Sequence, residues 1–265
     1  MAIITLTSDW GNNGYYAAAV KGVILSKMPD AVIVDVCHNV NPFNHVETAF
    51  LVKNAYPSFP EGTIHIIAVD SVENEHQQHL VVKFDGQYFI ASDNGVFSII
   101  VGSGNYEAVV MDKVEQDTNF YTFSARDRFA KVAVMLAQGA KMEDIGGVYK
   151  QQLNGSGIFQ PRATSDYIEG HVVFIDSYGN AITNITKEFF LENVKGRRCE
   201  VLFGSYVADI KECYDDVQPD ELVAFFGTHG FLEIAINRGF LSRLCGVTVH
   251  SIVQIAFEKE EAQLF

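Results

Sequence analysis

Apolar and polar positions in the first half of the chain switch repeatedly between a two-residue and a helical period. Ile3 to Thr7 is rich in β-formers. Residues 14 to 27 then place Tyr16, Ala19, Val20, Val23 and Ile24 at helical spacing. Ala31 to Val36 is a continuous apolar run, which predicts a strand covered on both faces. Residues 44 to 55 suit a second helix, ended by Pro57 and Pro60. Thr63 to Val69 predicts another buried strand. Leu80 to Phe84 and Tyr88 to Ala91 flank Asp85-Gly86, a hairpin signal. Arg126 to Gln138 predicts a later helix. Such alternation is the signature of a layered α/β domain.

The pattern changes near residue 150. Gln151-Gln152-Leu153-Asn154-Gly155-Ser156-Gly157 is polar and Gly-rich, and Pro161 follows. Beyond it come short strand signals at 170–175, 181–186, 199–203, 206–210, 222–226 and 246–257. The expected organisation is an α/β domain over 1–155, a sheet with flanking helices. A linker over 156–168 leads to an all-β, barrel-like domain over 169–265, whose last residues, 258–265, read as a polar tail.

Composition narrows the partners. The chain has 265 residues, 48% of them hydrophobic, enough for two ordinary domains. Its formal net charge is −14, and the densest basic cluster is Gly196-Arg197-Arg198. Nucleic acid and anionic membrane surfaces are therefore not expected partners. No apolar run approaches the roughly 20 residues of a membrane span. Met1 to Thr7 reads as a first strand and not as a signal peptide. Cys37, Cys199, Cys213 and Cys245 form no C-x-x-C pair and read as buried, reduced thiols of a cytoplasmic protein.

Several strand ends carry candidate chemistry. Thr7-Ser8-Asp9-Trp10-Gly11-Asn12-Asn13-Gly14 follows one strand and opens a helix. Open α/β sheets bind ligands at such places, and the two oxygens of Asp9 could accept both hydroxyls of a ribose. A helix N-cap explains the same residues equally well. Asp70 ends a second strand and could orient a water or a side chain. His76-x-x-His79 with Glu73 and Glu75 could suggest a metal, but the spacing matches no zinc site and a solvated loop is the expectation. Ser92-Asp93-Asn94-Gly95 is a turn by composition. In the second half, Asp176-Ser177-Tyr178-Gly179-Asn180 and Gly227-Thr228-His229-Gly230 are polar turns, with groups suited to an amine, a base edge or a carboxylate. The chain holds no Gly-rich phosphate loop and no G-x-S-x-G elbow.

In order and spacing these segments resemble one family. Ser8-Asp9-Trp10-Gly11 with Val20-Lys21-Gly22-Val23-Ile24 resembles T-D-F-G and M-K-G-V-I. Ile33-Val34-Asp35-Val36-Cys37-His38 resembles I-V-D-I-T-H. Phe59-Pro60-Glu61-Gly62-Thr63-Ile64-His65, ending in Val69-Asp70, resembles F-P-x-G-T-V-H and V-D. Ser92-Asp93-Asn94-Gly95 resembles P-D-N-G, and Thr122-Phe123-Ser124-Ala125-Arg126-Asp127 resembles T-F-H-G-R-D. Asp176 to Asn180 with Thr183-Asn184-Ile185 resembles D-x-F-G-N-x-x-T-N-I. Gly230-Phe231-Leu232-Glu233-Ile234-Ala235 resembles G-x-L-E-I-A. The match spans nearly the whole chain. It is to the SAM hydroxide adenosyltransferase family, related to the fluorinase and chlorinase enzymes.

The resemblance implies an α/β domain followed by a β-barrel, and a homotrimer that holds S-adenosylmethionine (SAM) between subunits. It implies hydrolysis of SAM to adenosine and methionine by water at the 5′ carbon, with no cofactor. On the matching positions Asp9 would take the ribose hydroxyls, beside Trp10. Asn180 would take the adenine edge, beside Tyr178. Asp176 would take the methionine ammonium, with Thr228 near its carboxylate and Phe231 close by. The family activates water with an Asp, an Arg and a His. Asp70 matches the Asp, but Gln77 stands at the Arg position and Ser124 at the His position. Gly14 also replaces an Asp of the opening motif. Slow hydrolysis, with Asp70, Gln77 and Ser124 as the reaction group, is the main expectation. A SAM- or adenosine-binding protein without turnover is the alternative. A halogenase is a third reading, weakened because the fluorinase-like Ser before the Arg is Ala125 here and the extra N-domain loop has no room.

Overall fold

The computed structural model describes residues 2–74, 76–118, 121–155 and 160–258. The chain divides into two compact units, residues 1–156 and 157–265. Part of the expected linker (156–159) and of the expected tail (259–265) lies outside the described residues.

In the first unit, β1 (Ile3–Ser8), α1 (Tyr16–Lys27), β2 (Val32–Cys37), α2 (His45–Ala55) and β3 (Ile64–Ala68) follow one another. The hairpin β4 (His79–Phe84) and β5 (Gln87–Ser92) comes next, then α3 (Val96–Val101) and β6 (Glu107–Val110). A π-helical turn (Ala125–Phe129) leads into α4 (Ala130–Ala137), and a short α5 (Met142–Ile145) follows. The sheet order is β2-β1-β3-β5-β4-β6. β2, β1, β3 and β5 run parallel, and β4 lies antiparallel between β5 and β6. Asp85-Gly86 makes the hairpin turn, both residues with positive φ as such turns require. Ile4, Leu6, Ile66, Val81, Ile90 and Phe129 are among the fully buried core side chains. Burial at roughly 1.5–3 kcal/mol per large side chain is what holds this layer together. β2 departs from expectation. It is the edge strand and only half buried, because a single neighbour, β1, pairs with it among the described residues.

The second unit is an eight-stranded sheet ordered β11-β10-β14-β8-β9-β13-β12, with β7 (Arg162–Ala163) added to β8. The strands are β8 (Tyr167–Ile175), β9 (Ala181–Thr186), β10 (Cys199–Phe203), β11 (Tyr206–Ala208), β12 (Leu222–Phe226), β13 (Phe231–Ile236) and β14 (Ile252–Phe257). All these pairs are antiparallel. A bridge between Ile210 and Ala224 joins the two ends, nearly closing the sheet into a barrel. Closure hides sheet edges that would otherwise pair with other chains. Ile168, Val172, Ile185, Leu232, Ile234 and Val253 fill the interior. The expected strand at 246–257 shortens to β14, because α7 (Leu241–Leu244) and an irregular turn occupy its approach. The helix α6 (Lys187–Val194), capped by Thr186, packs on β9. The four cysteines are unpaired, but Cys213 is exposed and the others half buried, so they are not the buried thiols expected. Among the described residues no helix is long and apolar enough to cross a membrane.

Candidate functional site

Four parallel strands end on one edge of the first unit, where open sheets collect ligand-binding loops. Ser8 pairs in register with Ala68, so the loops carrying Asp9 and Asp70 leave from neighbouring strand ends. Ser8 is fully buried, and its Oγ lies 2.7 Å from Nδ1 of His38. The backbone ties the same corner: Gly11 N–H donates to His38 O at 2.6 Å. His38 Nε2 lies 3.1 Å from Asp35 Oδ1, near enough to pair in charge though not aligned as a hydrogen bond. Burial would raise the Asp35 carboxyl, but contacts from Lys21 and His38 outweigh it and hold it below the usual range. Trp10 stacks over His38 with centroids 6.1 Å apart and meets Phe123 edge-on at 5.6 Å. An aromatic wall thus bridges the first strand end and the 122–127 segment.

Asp9 is not a helix cap. The residue before α1 is Tyr15, which makes no side-chain cap. Asp9 Oδ2 instead accepts the Phe43 N–H at 3.2 Å. This brings forward Phe43, an exposed aromatic at positive φ that the sequence pattern did not mark. A bulky residue in that conformation is the signal that could have found it, but it is visible only in the fold.

Asp70 sits at φ 46°, a left-handed conformation that Asp tolerates better than most residues but that still costs of order 1 kcal/mol. Two amides hold it there. Gln77 Nε2 donates to Asp70 O at 2.5 Å, and Asn94 Nδ2 donates to Val69 O at 3.0 Å. Gln77 and Asp70 are therefore together, but through the main chain. Among the described residues no hydrogen bond reaches the Asp70 carboxylate. Ser124 is buried immediately before the π-helical turn, and its hydroxyl accepts from Gln116 Nε2 at 3.3 Å. Two residues on, Arg126 grips Asp127 with two parallel bonds, at 2.5 and 2.8 Å. Those bonds hold the Asp127 carboxyl below its usual range.

His79 is the largest departure from the sequence reading. It is fully buried on β4 and not part of a solvated loop. Its Nε2 lies 3.0 Å from Ser71 O, and its Nδ1 lies 3.1 Å from Arg128 Nη1. Arg128 also binds Glu73 at 2.6 Å. Both ring nitrogens are thus engaged. Among the described residues no cluster of three metal-ligating side chains occurs.

The second unit has its own network. The 176–180 turn joins β8 to β9. Asp176 Oδ1 accepts the N–H groups of Tyr178 and Asn180 at 2.9 and 2.8 Å, and Oδ2 accepts Asn180 Nδ2 at 3.1 Å. Asn180 Nδ2 also lies 3.1 Å from Tyr214 Oη, which donates to Glu233 Oε1 at 2.5 Å. Burial and the Glu233 carboxylate together push the Tyr214 hydroxyl well above its ordinary range. Glu233 Oε2 completes the chain at 3.1 Å from His229 Nε2, while His229 Nδ1 accepts the Phe231 N–H. Thr228 is exposed in this turn and Phe231 is buried on β13. A cavity of about 540 Å³ opens beside the network, lined by Tyr178, Asn180, Tyr214, Asn237, Arg238 and Phe240 among others. Its size lies within the range of small-molecule sites, roughly 300–1,000 Å³. Tyr178 is 74% exposed at its mouth. Gly179 is fixed by sterics, since at φ +81° a Cβ would stand 2.3 Å from the Phe240 ring. The sequence pattern does not mark Tyr214, Arg238 or Phe240, because Tyr214 lies far along the chain from the loop that holds the other two.

Residues 4–146 match the family model of the SAM hydroxide adenosyltransferase N-terminal domain, and 170–254 match that of its C-terminal domain. The chain is 26% identical to a protein named (R)-S-adenosyl-L-methionine hydrolase from Methanocaldococcus jannaschii, over 96% of each chain. It is 25% identical to a protein named fluorinase from Nocardia brasiliensis, covering 91% of this chain and 92% of that one. Among solved structures, an uncharacterized conserved protein from Thermotoga maritima superposes with a TM-score of 0.85 at 29% identity, covering 96% of this chain and 99% of that one.

Proposed function

The chain belongs to the SAM hydroxide adenosyltransferase family, and we propose that it hydrolyses S-adenosylmethionine to adenosine and methionine. Water attacks the 5′ carbon, the carbon–sulfur bond breaks, and the electron pair neutralises the sulfonium. Methionine leaves, and the proton of the attacking water is released. The observation that carries the reading is Asp70, held in a left-handed conformation at a strand end, with no hydrogen bond to its carboxylate among the described residues. A carboxylate so placed can align one water and accept charge as the proton departs. Gln77 and Ser124 are neutral, so they contribute orientation and not proton acceptance. Losing an acid–base group typically costs about 10² to 10⁴ in rate. The turnover expected is therefore slow.

Binding follows from the same groups. Asp9 takes the ribose hydroxyls against the Trp10 wall. Asn180 spends its amide N–H on Asp176 and Tyr214, leaving Oδ1 as an acceptor for the exocyclic amine of adenine. Asp176 has accepted three donors, which leaves a lone pair for the methionine ammonium. The reaction takes SAM and water alone, so it requires no cofactor. The relative named (R)-S-adenosyl-L-methionine hydrolase carries the R epimer in its name, and the same preference is proposed here. The homotrimer that the resemblance implies, with ligand shared between subunits, belongs to this proposal, as does a cytoplasmic setting. A stable monomer in light scattering would remove the trimer.

The second reading, a SAM or adenosine binder without turnover, is favoured by the neutral pair Gln77 and Ser124. Halide transfer is disfavoured by Ala125, which offers no hydroxyl to a desolvated halide. Chromatography of SAM incubated with the protein, with and without fluoride or chloride, separates the three. Adenosine and methionine support hydrolysis, 5′-halo-adenosine supports halogenation, and unchanged SAM with intact calorimetric binding supports the binder.

A further inference from the structure

The loop that carries Asp70 lacks the arginine that the family resemblance places at position 77. Gln77 supplies a hydrogen bond to the Asp70 carbonyl but no charge. A guanidinium nevertheless reaches this loop from another element. Arg128 projects from the π-helical turn, is largely buried, and donates from Nη1 to Glu73 Oε2 at 2.6 Å and to His79 Nδ1 at 3.1 Å.

The chemistry of these three groups fixes their roles. Arginine only donates, so Nδ1 of His79 must accept. The ring proton therefore stands on Nε2, which donates to Ser71 O at 3.0 Å. Ser71 directly follows Asp70, so the guanidinium holds the strained residue from its C-terminal side. Asn94 holds it at Val69, the residue before. The ring of His79 is clamped edge-on against Phe129 at 4.7 Å, so it transmits position rather than swinging away. We propose that Arg128 is a positioning residue for Asp70, docking the 70–79 loop onto the 124–129 turn through Glu73 and His79 in place of an arginine at 77.

The inference rests on the hydrolase reading for its effect on rate, but not for the docking. Burial lowers the His79 pKa, the facing Glu73 and the bond to Ser71 O raise it, and Arg128 lowers it, for a net depression. The neutral ring that the geometry requires is thus the form present near neutrality.

The test compares wild type, Arg128→Ala and Arg128→Ala/Gln77→Arg by SAM turnover, and by amide hydrogen exchange across 70–79. Arg128→Ala is expected to speed exchange in that loop, leaving β1 and β3 unchanged. It should lower kcat by about 10- to 100-fold at a KM within twofold, as a misplaced group does. Adding Gln77→Arg is expected to recover part of the rate, which a purely structural role for Arg128 would not allow. Should Arg128→Ala fail to fold, Arg128→Lys, with charge but no fork, is expected to show the same changes at smaller size. Unchanged exchange in 70–79 overturns the proposal, as does faster exchange with kcat held within twofold. A wild type that binds SAM without turnover defeats the hydrolase reading alone, and the exchange comparison then decides the docking.

Discussion

The strand-end edge of the first unit and the 176–180 turn of the second both present carboxylates, but they spend them differently. Asp176 accepts three hydrogen bonds, keeping one lone pair, and Glu233 is approached by two partners, so these acids are already anchored by the fold. Asp9 takes one backbone N–H, and the Asp70 side chain takes no hydrogen bond among the described residues. An anchored network is a rigid surface for recognition, because its groups need not reorganise when a ligand arrives. A spared carboxylate in a strained loop is available for chemistry. Under the proposed function, the contrast points to ligand recognition chiefly in the second unit and reaction in the first.

The sharpest way to break that division is at Asp70. Asp70→Ala is expected to lower kcat at least 100-fold while SAM binding by calorimetry stays within a fewfold. Loss of affinity with kcat retained would invert the assignment. Next in size, Asn180→Ala should weaken adenosine and SAM binding about tenfold or more. It removes a buried partner of both Asp176 and Tyr214, a change worth roughly 1–3 kcal/mol. Its kcat at saturating SAM should move little. Gly179→Ala forces a methyl into Phe240, so calorimetry should show weaker ligand binding beside a modest fall in melting temperature.

A fourth test concerns stability alone. His65 is buried between Thr5 Oγ1 at 2.8 Å and Gln87 Oε1 at 2.7 Å, and burial lowers its pKa to about 4 despite the Gln87 bond. The depressed value means that the unfolded chain binds the proton more readily. Stability from the neutral ring is complete above about pH 6.5 and declines as pH falls towards 4. At about 1.4 kcal/mol per unit, the loss is on the order of 3 kcal/mol. Denaturant melts at pH 7 and pH 4.5 should show this fall in wild type, and a smaller one in His65→Gln. The smallest expected effect is of chelation: EDTA should leave turnover within experimental error, since the proposed reaction uses no metal.

Much of this layout was legible in the chain. Asp9 and Asp70 stand where buried strands end, and periodicity marks such ends well. The six-residue helix α3, Val-Phe-Ser-Ile-Ile-Val, went unmarked because a β-branched run that short carries no helical period. β6 and β13 fall outside the strand signals of the pattern, β6 being only four residues long and β13 coinciding with the Gly230 to Ala235 motif. β2 reads as doubly covered because an apolar run does not say how many neighbours pair with it. Arg128 with Glu73 and His79, and Tyr214 with Asn180, were illegible for another reason. Their partners lie 55, 49 and 34 positions away, and only the folded sheets bring them together.

The central claim, water attack at the 5′ carbon, is tested most directly by running the reaction in oxygen-18 water and weighing both products. The account predicts adenosine two mass units heavier, with the label in its 5′ hydroxyl, and unlabelled methionine. Unlabelled adenosine, or a labelled cleavage product formed at any other carbon, would contradict it.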